Sequence, residues 1–486
     1  MNKVKTRFAP SPTGYLHVGG ARTALFNYLL ARQAGGTFLL RIEDTDRSRH
    51  DESAVAKITE DLRWLGIEWD EGIEAGGPDG PYRQSERLEI YRPYVQRLLE
   101  AGRAYYAFDT PEELQVMRDR AQAQKTGFRY RRPEGLPTGD DADAARAEGR
   151  PVVVRFRCPD RDVTIHDEAF GEVTWPAGET DDFILRKADG WPVYHLANVV
   201  DDALMGVTLI CRGQEFLGQT WRHVLLREAL GIPEPAYCHL PLIMDMQGRK
   251  LSKRDGDVEV HAFRAAGYLP EALLNFIALL GWRPGGNREK LSLDDLVELF
   301  GIDRIGKANA KFDRDKLVAF NTDAAAAADE NRLLAGLRDY LSLNETTIPA
   351  DDDALLRRLL EINKGFRTFG DIRAKCGVLF GPDDAFEYED QAVKKVLQKN
   401  EGAGFAVLAD LRAPLAACDW TAEALEKVLV DYGAAHELGM GKVAQPVRVA
   451  VTGTTISPPI FETLVLLGRD KTLARIDRCL ARKTGS

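Results

Sequence analysis

The chain has 486 residues, of which 44% are hydrophobic and 29% are charged, and its formal net charge is −10 at pH 7. This length exceeds one hydrophobic core and predicts about three or four domains. No run approaches the roughly 18 to 20 apolar residues of a membrane span, and no apolar signal region precedes the first motif, so we expect a cytoplasmic protein without a membrane partner.

The N-terminal part predicts a β-α-β unit. Residues 4–8 and 37–42 read as strands, and 19–33 reads as a helix with apolar residues on one face. Between the first strand and the helix lies PSPTGYLHVGG (10–20), a Pro/Gly turn followed by His17 and two glycines. Glycine backbone at a positive helix N-terminus lets a nucleotide approach closely, although such turns are also common punctuation before helices.

The alternation of strands and helices is then interrupted. A stretch rich in Arg, Asp, Pro and Gly, with short β-type runs such as 151–156, separates the first elements from Trp191, where the α/β pattern resumes. Beyond it we expect a strand at 206–210 or ending at Arg212, then a helix from about 215 to 230. The pattern indicates a nucleotide-binding fold that is split by an inserted domain.

A cationic segment follows, KLSKR at 250–254, with three positive charges and a serine within five residues. Such a set suits the charge that develops on a departing triphosphate, although a Lys/Arg loop is also ordinary solvated surface. Neither this segment nor the first one matches the P-loop pattern. Their order and separation fit the two halves of one α/β nucleotide domain.

The C-terminal part reads as helical. Composition shifts after Asn321, the run 323–329 resembles a capped helix start, and few strand-like runs follow. The segment 125–132 packs four cations and two aromatic residues into eight positions, which suits phosphates and unstacked bases but also fits a solvated loop. The six cysteines have no Cys-x-x-Cys spacing, so we expect neither a disulfide framework nor a local zinc site.

The HVGG and KLSKR segments resemble the two signatures, written HIGH and KMSKS, of class I aminoacyl-tRNA synthetases, in the versions found in bacterial glutamyl-tRNA synthetases. Four further segments resemble that family: RIEDTD (41–46), DLRWLG (61–66), GPYRQS (80–85) and WPVYHLANVVDD (191–202). The resemblance runs nearly continuously from Arg7 to about Gly281 and more loosely onward.

The resemblance implies a fold of the α/β class with a split Rossmann-type, parallel-sheet catalytic domain. The expected parts are the first catalytic half (1–101), an inserted α+β acceptor-stem-binding domain (102–190), the second catalytic half (191–245), the KLSKR segment with a helical stem-contact domain (246–321), and an all-α anticodon-binding region (322–486). Nothing in the sequence requires more than a monomer.

The resemblance also implies the chemistry. Glutamate attacks the α-phosphate of ATP to give glutamyl-adenylate, and a ribose hydroxyl of the tRNA then takes the glutamyl group. The expected partners are L-glutamate, tRNA(Glu) and ATP with Mg²⁺. Some relatives hold zinc through a Cys-x-Cys motif in the inserted domain, but this chain reads AYYAF at 104–108. We therefore expect no structural zinc.

Site residues follow by matching motifs. The expected catalytic residues are His17 and Lys253; the expected ATP contacts are Gly19, Gly20, Glu215, Lys250, Ser252, Lys253 and Arg254; the expected glutamate contacts are Arg7, Ser11, Glu43, Tyr194, Asn198 and Arg212; and no residue is expected to bind a metal. His17 could instead be a buried structural histidine, and Arg7 could merely pair with Glu43. Asp44 and Asp46 could equally cap a helix, touch the tRNA end or take part in chemistry.

Four alternatives stay open. A non-discriminating enzyme would also charge tRNA(Gln); stringent relatives often place an Arg against the last anticodon base, and the matching position here is Lys364 or Gly365. A tRNA-modifying glutamyltransferase would lack the anticodon region, and a glutaminyl-tRNA synthetase would carry β-barrels there. A non-catalytic tRNA-binding paralogue could have lost His17 and Lys253. Whether glutamate activation requires tRNA is also open.

Overall fold

The computed structural model describes residues 3–45, 52–130, 132–251, 258–383 and 387–482. The chain divides into two compact units. Unit 1 comprises Met1–Ala262 and Leu273–Arg314, and unit 2 comprises Phe263–Ala272 and Asp315–Ser486. Within the described ranges, no helix combines the length and apolarity that a membrane crossing requires.

The strands are β1 (Lys5–Phe8), β2 (Thr37–Leu40), β3 (Glu71–Gly72), β4 (Ala104–Ala107), β5 (Val153–Phe156), β6 (Val163–Asp167), β7 (Gly171–Trp175), β8 (Ile184–Arg186), β9 (Leu209–Gly213), β10 (Ala236–Leu240), β11 (Ile243–Met244) and β12 (Ala310–Lys311). The helices are α1 (Val18–Gln33), α2 (Glu52–Trp64), α3 (Leu88–Glu100), α4 (Pro111–Ala123), α5 (Gly139–Ala147), α6 (Tyr194–Leu204), α7 (Thr220–Leu230), α8 (Val260–Ala265), α9 (Pro270–Ala278), α10 (Leu293–Leu299), α11 (Arg314–Ala327), α12 (Glu330–Leu343), α13 (Asp353–Ile362), α14 (Phe369–Phe380), α15 (Asp390–Ala392), α16 (Lys399–Ala417), α17 (Ala422–Ala435), α18 (Met440–Thr452), α19 (Ile460–Leu467) and α20 (Arg469–Ala481).

The predicted β-α-β opening is confirmed. β1 pairs in parallel with β2, and β2 pairs in parallel with β3. Helix α1 crosses between the first two strands and buries Ala24, Leu25 and Leu29 completely, so its apolar face covers the sheet. It begins at Val18, one residue before the predicted start, because the side chain of His17 caps it. The carboxyl ends of β1 and β2 therefore lie beside the amino end of α1.

The parallel sheet continues with strands from the second half of the unit. β10 pairs in parallel with both β9 and β6, and the backbone N–H of Thr208 donates to the carbonyl of Lys5 (3.0 Å), which joins β9 to β1. The interrupting stretch supplies the antiparallel sheet β4-β5-β8, as predicted for an inserted α+β segment. It also supplies the hairpin β6-β7, whose strand β6 adds directly to the parallel sheet.

Unit 2 is helical, as predicted. Among its described residues the regular elements from α11 to α20 are all helices, and their apolar faces share one core. Helix α13 illustrates the pattern: the carboxylate of Asp352 accepts from the backbone N–H of Leu355 at its start, and Leu356, Leu359 and Leu360 point into the core. Local capping and amphipathic spacing therefore determine this part of the chain.

Three local predictions need correction. Asp323 does not begin a helix, because α11 already runs from Arg314; the cap is Asp329, which starts α12 instead. The predicted helix from 215 begins as a 3-10 helix, Gln214–Gln219, and becomes α-helical only at Thr220, whose hydroxyl donates to the carbonyl of Phe216 (3.0 Å). Of the two readings of the next strand, the one at 206–210 is wrong and the one ending at Arg212 is correct to within one residue: the strand is Leu209–Gly213, since a left-handed glycine, Gly206, turns the chain before it.

Two adjacent buried carboxylates, Asp201 and Asp202 in α6, tie unit 1 together. Asp202 binds Arg7 of β1 (3.2 Å) and Arg41 after β2 (2.8 Å), and Asp201 accepts from Arg87 before α3 (2.7 Å). Both carboxylates are 0% exposed. Burial alone would raise the pKa of Asp202, but Arg7 and Arg41 bring it well below its usual range. The network therefore stays charged and joins four separate segments.

Replacing Asp201 should destabilise unit 1 strongly. The Asp201→Ala variant leaves the guanidinium of Arg87 buried without its carboxylate, and such broken buried pairs cost about 3 to 5 kcal/mol. Urea unfolding of the variant and the wild type measures this loss. Glu89→Ala is the control, because its ion pair with Arg92 is mostly exposed and should contribute little. Equal unfolding free energies for the two variants would contradict the role of Asp201.

Candidate active site

A cavity of about 570 Å³ opens where the carboxyl ends of β1 and β9 meet the amino end of α1. In open α/β sheets ligands bind at this edge. Among the predicted site residues, those that line the cavity are Arg7, Ser11, His17, Gly19, Gly20, Glu43, Tyr194, Asn198, Arg212 and Glu215. The structure therefore brings together residues that are up to about 200 positions apart in the chain.

The KLSKR segment is described only in part. Lys250 is exposed, and it forms an isolated β-bridge with Met244 beyond the cavity lining. Ser252, Lys253 and Arg254 lie outside the described residues, as does Asp46. The predicted roles of these residues remain predictions.

The start of α1 is shaped by His17. Its Nδ1 accepts the backbone N–H of Gly19 (3.0 Å), so the proton of the neutral ring sits on Nε2. A side chain on Gly20 would come within 3.0 Å of Leu16 and 3.5 Å of Phe8, so this glycine is needed for close packing of the helix on β1. A Cβ added to Gly19 would contact only the ring of His17, at 3.4 Å, so the side of Gly19 that faces the cavity is open.

Arg212, in β9, is buried and lines the cavity. Its guanidinium donates to Tyr194 Oη (3.2 Å), Thr220 Oγ1 (2.9 Å), His239 Nε2 (3.1 Å) and His223 Nδ1 (3.3 Å). Within the described part of the chain, these direct acceptors are all neutral groups. Burial and the neighbouring Arg212 hold the pKa of His223 well below its usual value. The positive charge of Arg212 is therefore not cancelled by a bound carboxylate.

Arg7 and Glu43 are held by different partners instead of by each other. Arg7 pairs with Asp202, while Glu43 Oε1 accepts from Arg41 (3.1 Å) and from Asn198 Nδ2 (2.7 Å). Burial raises the pKa of Glu43, and Arg41 and Arg7 oppose that shift. The alternative of a simple Arg7–Glu43 pair is thus not what the structure contains.

Three further neutral or acidic residues line the cavity. Asn198 Oδ1 is buried without a hydrogen-bond partner among the described residues, so it offers an acceptor to a ligand. Glu215 is exposed at the cavity edge, and its carboxylate folds over Gly213, where an added Cβ would lie 2.2 Å from it. Asp44 accepts from the N–H and hydroxyl of Ser85 (both 2.7 Å), so it holds the segment around Ser85 in place.

Sequence reasoning missed the groups behind Arg212. His223, His239 and Thr220 contact its guanidinium, His195 contacts His223 (3.1 Å), and Asp167 binds His239 (2.6 Å). These residues come from four separate elements, so no local motif links them. The only signal was that three of the eight histidines fall within 45 positions of each other in the second half of the nucleotide fold.

Metal ligands were not predicted, and across the described ranges no group of three or more His, Cys, Asp or Glu residues is arranged to hold a metal ion. All six cysteines are unpaired thiols, five of them buried. Burial raises the pKa of Cys158 in the inserted sheet, which keeps that thiol protonated.

The parallel sheet with its insertion, together with the histidine-capped helix at the cavity, defines a class I aminoacyl-tRNA synthetase. Residues 3–319 match the family model described as tRNA synthetases class I (E and Q), catalytic domain, and residues 332–480 match an anticodon binding domain. The chain belongs to this class I (E and Q) tRNA synthetase family.

Similar proteins agree with this family. The chain is 40% identical to a glutamate-tRNA ligase of an Anaeromyxobacter species over 99% of both chains, and 42% identical to that of Mycobacterium bovis over 97% of both. A crystal structure of a glutamate tRNA ligase from Elizabethkingia meningosepticum in complex with its amino acid matches with a TM-score of 0.80, 35% identity and 99% coverage of both chains. The predicted resemblance to bacterial glutamyl-tRNA synthetases is confirmed.

The histidines behind Arg212 should make stability depend on pH. Burial, with Arg222 and Arg212, lowers the pKa of His195 to about 3, whereas the unfolded chain has an ordinary histidine pKa. Between these two values the unfolded state binds the extra proton, so the free energy of unfolding falls as the pH drops. From pH 7 to pH 5 this one residue should cost about 1 to 2 kcal/mol.

Urea unfolding of the wild type and of His195→Gln at both pH values checks this expectation. The glutamine cannot titrate, so the variant should lose less stability on acidification than the wild type does. Identical losses would mean that folding does not lower the pKa of His195.

Proposed function

We propose that this chain is a cytoplasmic, monomeric enzyme that uses ATP to join L-glutamate to tRNA(Glu) in two steps, through glutamyl-adenylate. The observation that carries the proposal is the charge of Arg212: a buried cation, bound to neutral groups, faces a cavity at the nucleotide edge of the sheet. Relatives named glutamate-tRNA ligases, at about 40% identity over the whole chain, support the same conclusion.

The pocket suits an amino acid with two carboxylates. Arg212 would bind the side-chain carboxylate, because its charge is uncompensated and its orientation is fixed. Arg7, which also lines the cavity, would bind the α-carboxylate while remaining paired with Asp202. Glu43 and the unpartnered Asn198 Oδ1 would take the α-ammonium.

Neutral donors would complete the glutamate site. Ser11 and Tyr194 line the cavity and carry hydroxyl groups, and burial raises the pKa of Tyr194, so its phenol stays protonated. A hydroxyl donates to a carboxylate without adding charge. The set therefore provides two cations, one anion and neutral hydrogen bonds for a substrate with two carboxylates and one ammonium.

The nucleotide would lie over the start of α1. Gly19 leaves room for the adenosine, His17 would donate from Nε2 to a phosphate oxygen, and Glu215 would bind the ribose. Lys250 and the undescribed Ser252, Lys253 and Arg254 would stabilise the triphosphate. Mg²⁺ would arrive with ATP, held mainly by phosphates and water.

The reaction then needs no enzyme nucleophile. An α-carboxylate oxygen of glutamate attacks the α-phosphorus, the bond to the bridging oxygen breaks, and pyrophosphate leaves with the negative charge. A terminal ribose hydroxyl of the tRNA next attacks the activated carbonyl and gives up its proton. The bond from the carbonyl carbon to the phosphate oxygen breaks, and AMP departs with its electron pair. Orientation in the cavity and donors aimed at the developing charge supply the acceleration.

The tRNA would contact the parts beyond the nucleotide fold: the inserted domain (102–190), the connector (246–321) and the helical region (322–486). In the basic segment of the insertion, Lys125 and Arg129 are exposed, whereas Arg132 is paired with Asp182 (2.7 Å) and serves the fold. In unit 2, Lys364 and Gly365 line a second cavity of about 800 Å³, where an anticodon base would lie.

Charging tests the proposal directly. Purified tRNA(Glu) and tRNA(Gln) are incubated separately with the wild type, labelled glutamate, ATP and Mg²⁺, and pyrophosphate exchange is measured with and without tRNA. We expect glutamyl-tRNA(Glu). Charging of tRNA(Gln) as well would make the enzyme non-discriminating. If neither tRNA is charged, the proposed activity is wrong and a binding paralogue becomes the better explanation.

Lys253→Ala should slow glutamyl-adenylate formation at least about a hundredfold, because the variant lacks the cation that we propose stabilises the departing pyrophosphate. Affinity for tRNA(Glu) should stay close to that of the wild type. Single-turnover adenylate formation and filter binding of tRNA measure the two effects. Lys427→Ala is the control, since this exposed lysine of α17 pairs only locally with Asp431. A variant rate near that of the control would rule out the assigned role.

A further inference from the structure

Arg212 is the centre of a buried hydrogen-bonded chain that reaches away from the cavity. On one side it donates to His239, which binds Asp167 (2.6 Å). On the other side it contacts His223 (3.3 Å), which contacts His195 (3.1 Å). Asp167 and His239 are 0% exposed, and neither belongs to the cavity lining.

The donors and acceptors of this chain determine the tautomer of His239. The Nε of Arg212 can only donate, so Nε2 of His239 must be the unprotonated nitrogen. The ring proton therefore sits on Nδ1 and is donated to Asp167. Nε2 of His239 can accept from Arg212 only while Asp167 accepts the proton on Nδ1.

Asp167 is itself held firmly. Its Oδ1 accepts the backbone N–H groups of Ala169 (3.0 Å) and Phe170 (2.9 Å), and its Oδ2 accepts that of His239 (3.1 Å). Burial alone would raise the pKa of Asp167, but the hydrogen bond from His239 lowers it. An ionised, immobile acceptor therefore stands behind the imidazole.

We propose that Asp167 and His239 are positioning residues that fix the guanidinium of Arg212 for the side-chain carboxylate of glutamate. Neither touches the substrate; they act through Arg212. The proposal rests on the proposed function, because it assigns glutamate to this cavity. Asp167 lies at the end of β6, in the predicted inserted domain, so that domain contributes directly to amino-acid selection.

The near-isosteric Asp167→Asn variant provides the sharpest test. Its oxygen can keep the backbone bonds of Ala169 and Phe170, which turns the amide NH₂ toward Nδ1 of His239. The ring proton then moves to Nε2 and opposes the N–H of Arg212. We expect the KM for glutamate in tRNA(Glu) charging to rise about tenfold or more. The KM for ATP should change less than about threefold.

Two substitutions at His239 separate positioning from packing. His239→Leu removes the acceptor and should raise the KM for glutamate as Asp167→Asn does. His239→Gln carries an amide oxygen near the place of Nε2 and should recover most of the loss. The control is Tyr237→Phe, which deletes a buried hydroxyl bound to Glu234 (2.7 Å) in the same strand and should leave the KM for glutamate unchanged.

The outcomes separate this proposal from the proposed function. If Asp167→Asn and His239→Leu show the same KM for glutamate as Tyr237→Phe, the positioning role is wrong. If His239→Leu does not fold, Asp167→Asn decides. If the wild type charges no tRNA, the proposed function fails, and positioning is judged from the rise in melting temperature that glutamate gives each variant. A wild type without that rise overturns both.

Discussion

The fold of unit 1 depends on the neutralisation of charges that are buried in its interior. Asp201 and Asp202 follow each other in one helix and lie in the protein interior, where unpaired charges are unfavourable by several kcal/mol each. They are compensated by Arg7, Arg41 and Arg87, which come from different segments. The sheet, the turn before α3 and helix α6 can therefore be placed in only one relative arrangement. The cavity is built on that arrangement, since Arg7 and Arg41 also define the surroundings of Glu43.

The cavity contains two arginines in opposite electrostatic states. Arg7 is neutralised by Asp202, whereas Arg212 is oriented by a phenol, a hydroxyl and imidazole rings. A substrate carboxylate would neutralise little further charge at Arg7, because Asp202 already neutralises it. At Arg212 the same carboxylate would supply the counter-charge. Under the proposed function, this difference would let the pocket select an anionic side chain without accumulating a large positive charge of its own. A neutral amide in the same position would leave Arg212 buried without a counter-charge.

The fold was predictable where the signal is local, and less so where it depends on distant contacts. Hydrophobic periodicity located β1, α1 and β2 to within a few residues, and the motifs located Arg7, Glu43 and Arg212 in one cavity. The helix start at Asp323 was wrong because an alanine-rich run after an aspartate looks the same inside a helix as at its beginning. The support of Arg212 by His239 and Asp167 was invisible, because it arises from the register of β10 against β6. Only strand pairing places those residues together.

The hairpin β6-β7 also limits how this architecture can change over evolutionary time. A segment inserted between two strands could ordinarily be lost or exchanged as a module, since its ends leave and re-enter the host at neighbouring points. Here the segment returns a strand to the host sheet, and β6 occupies the place beside β10. Deleting the whole stretch would expose an unpaired sheet edge and remove Asp167 together with it. The insertion and its host are therefore expected to be inherited as one unit, with recombination confined to the antiparallel sheet β4-β5-β8 and its helices.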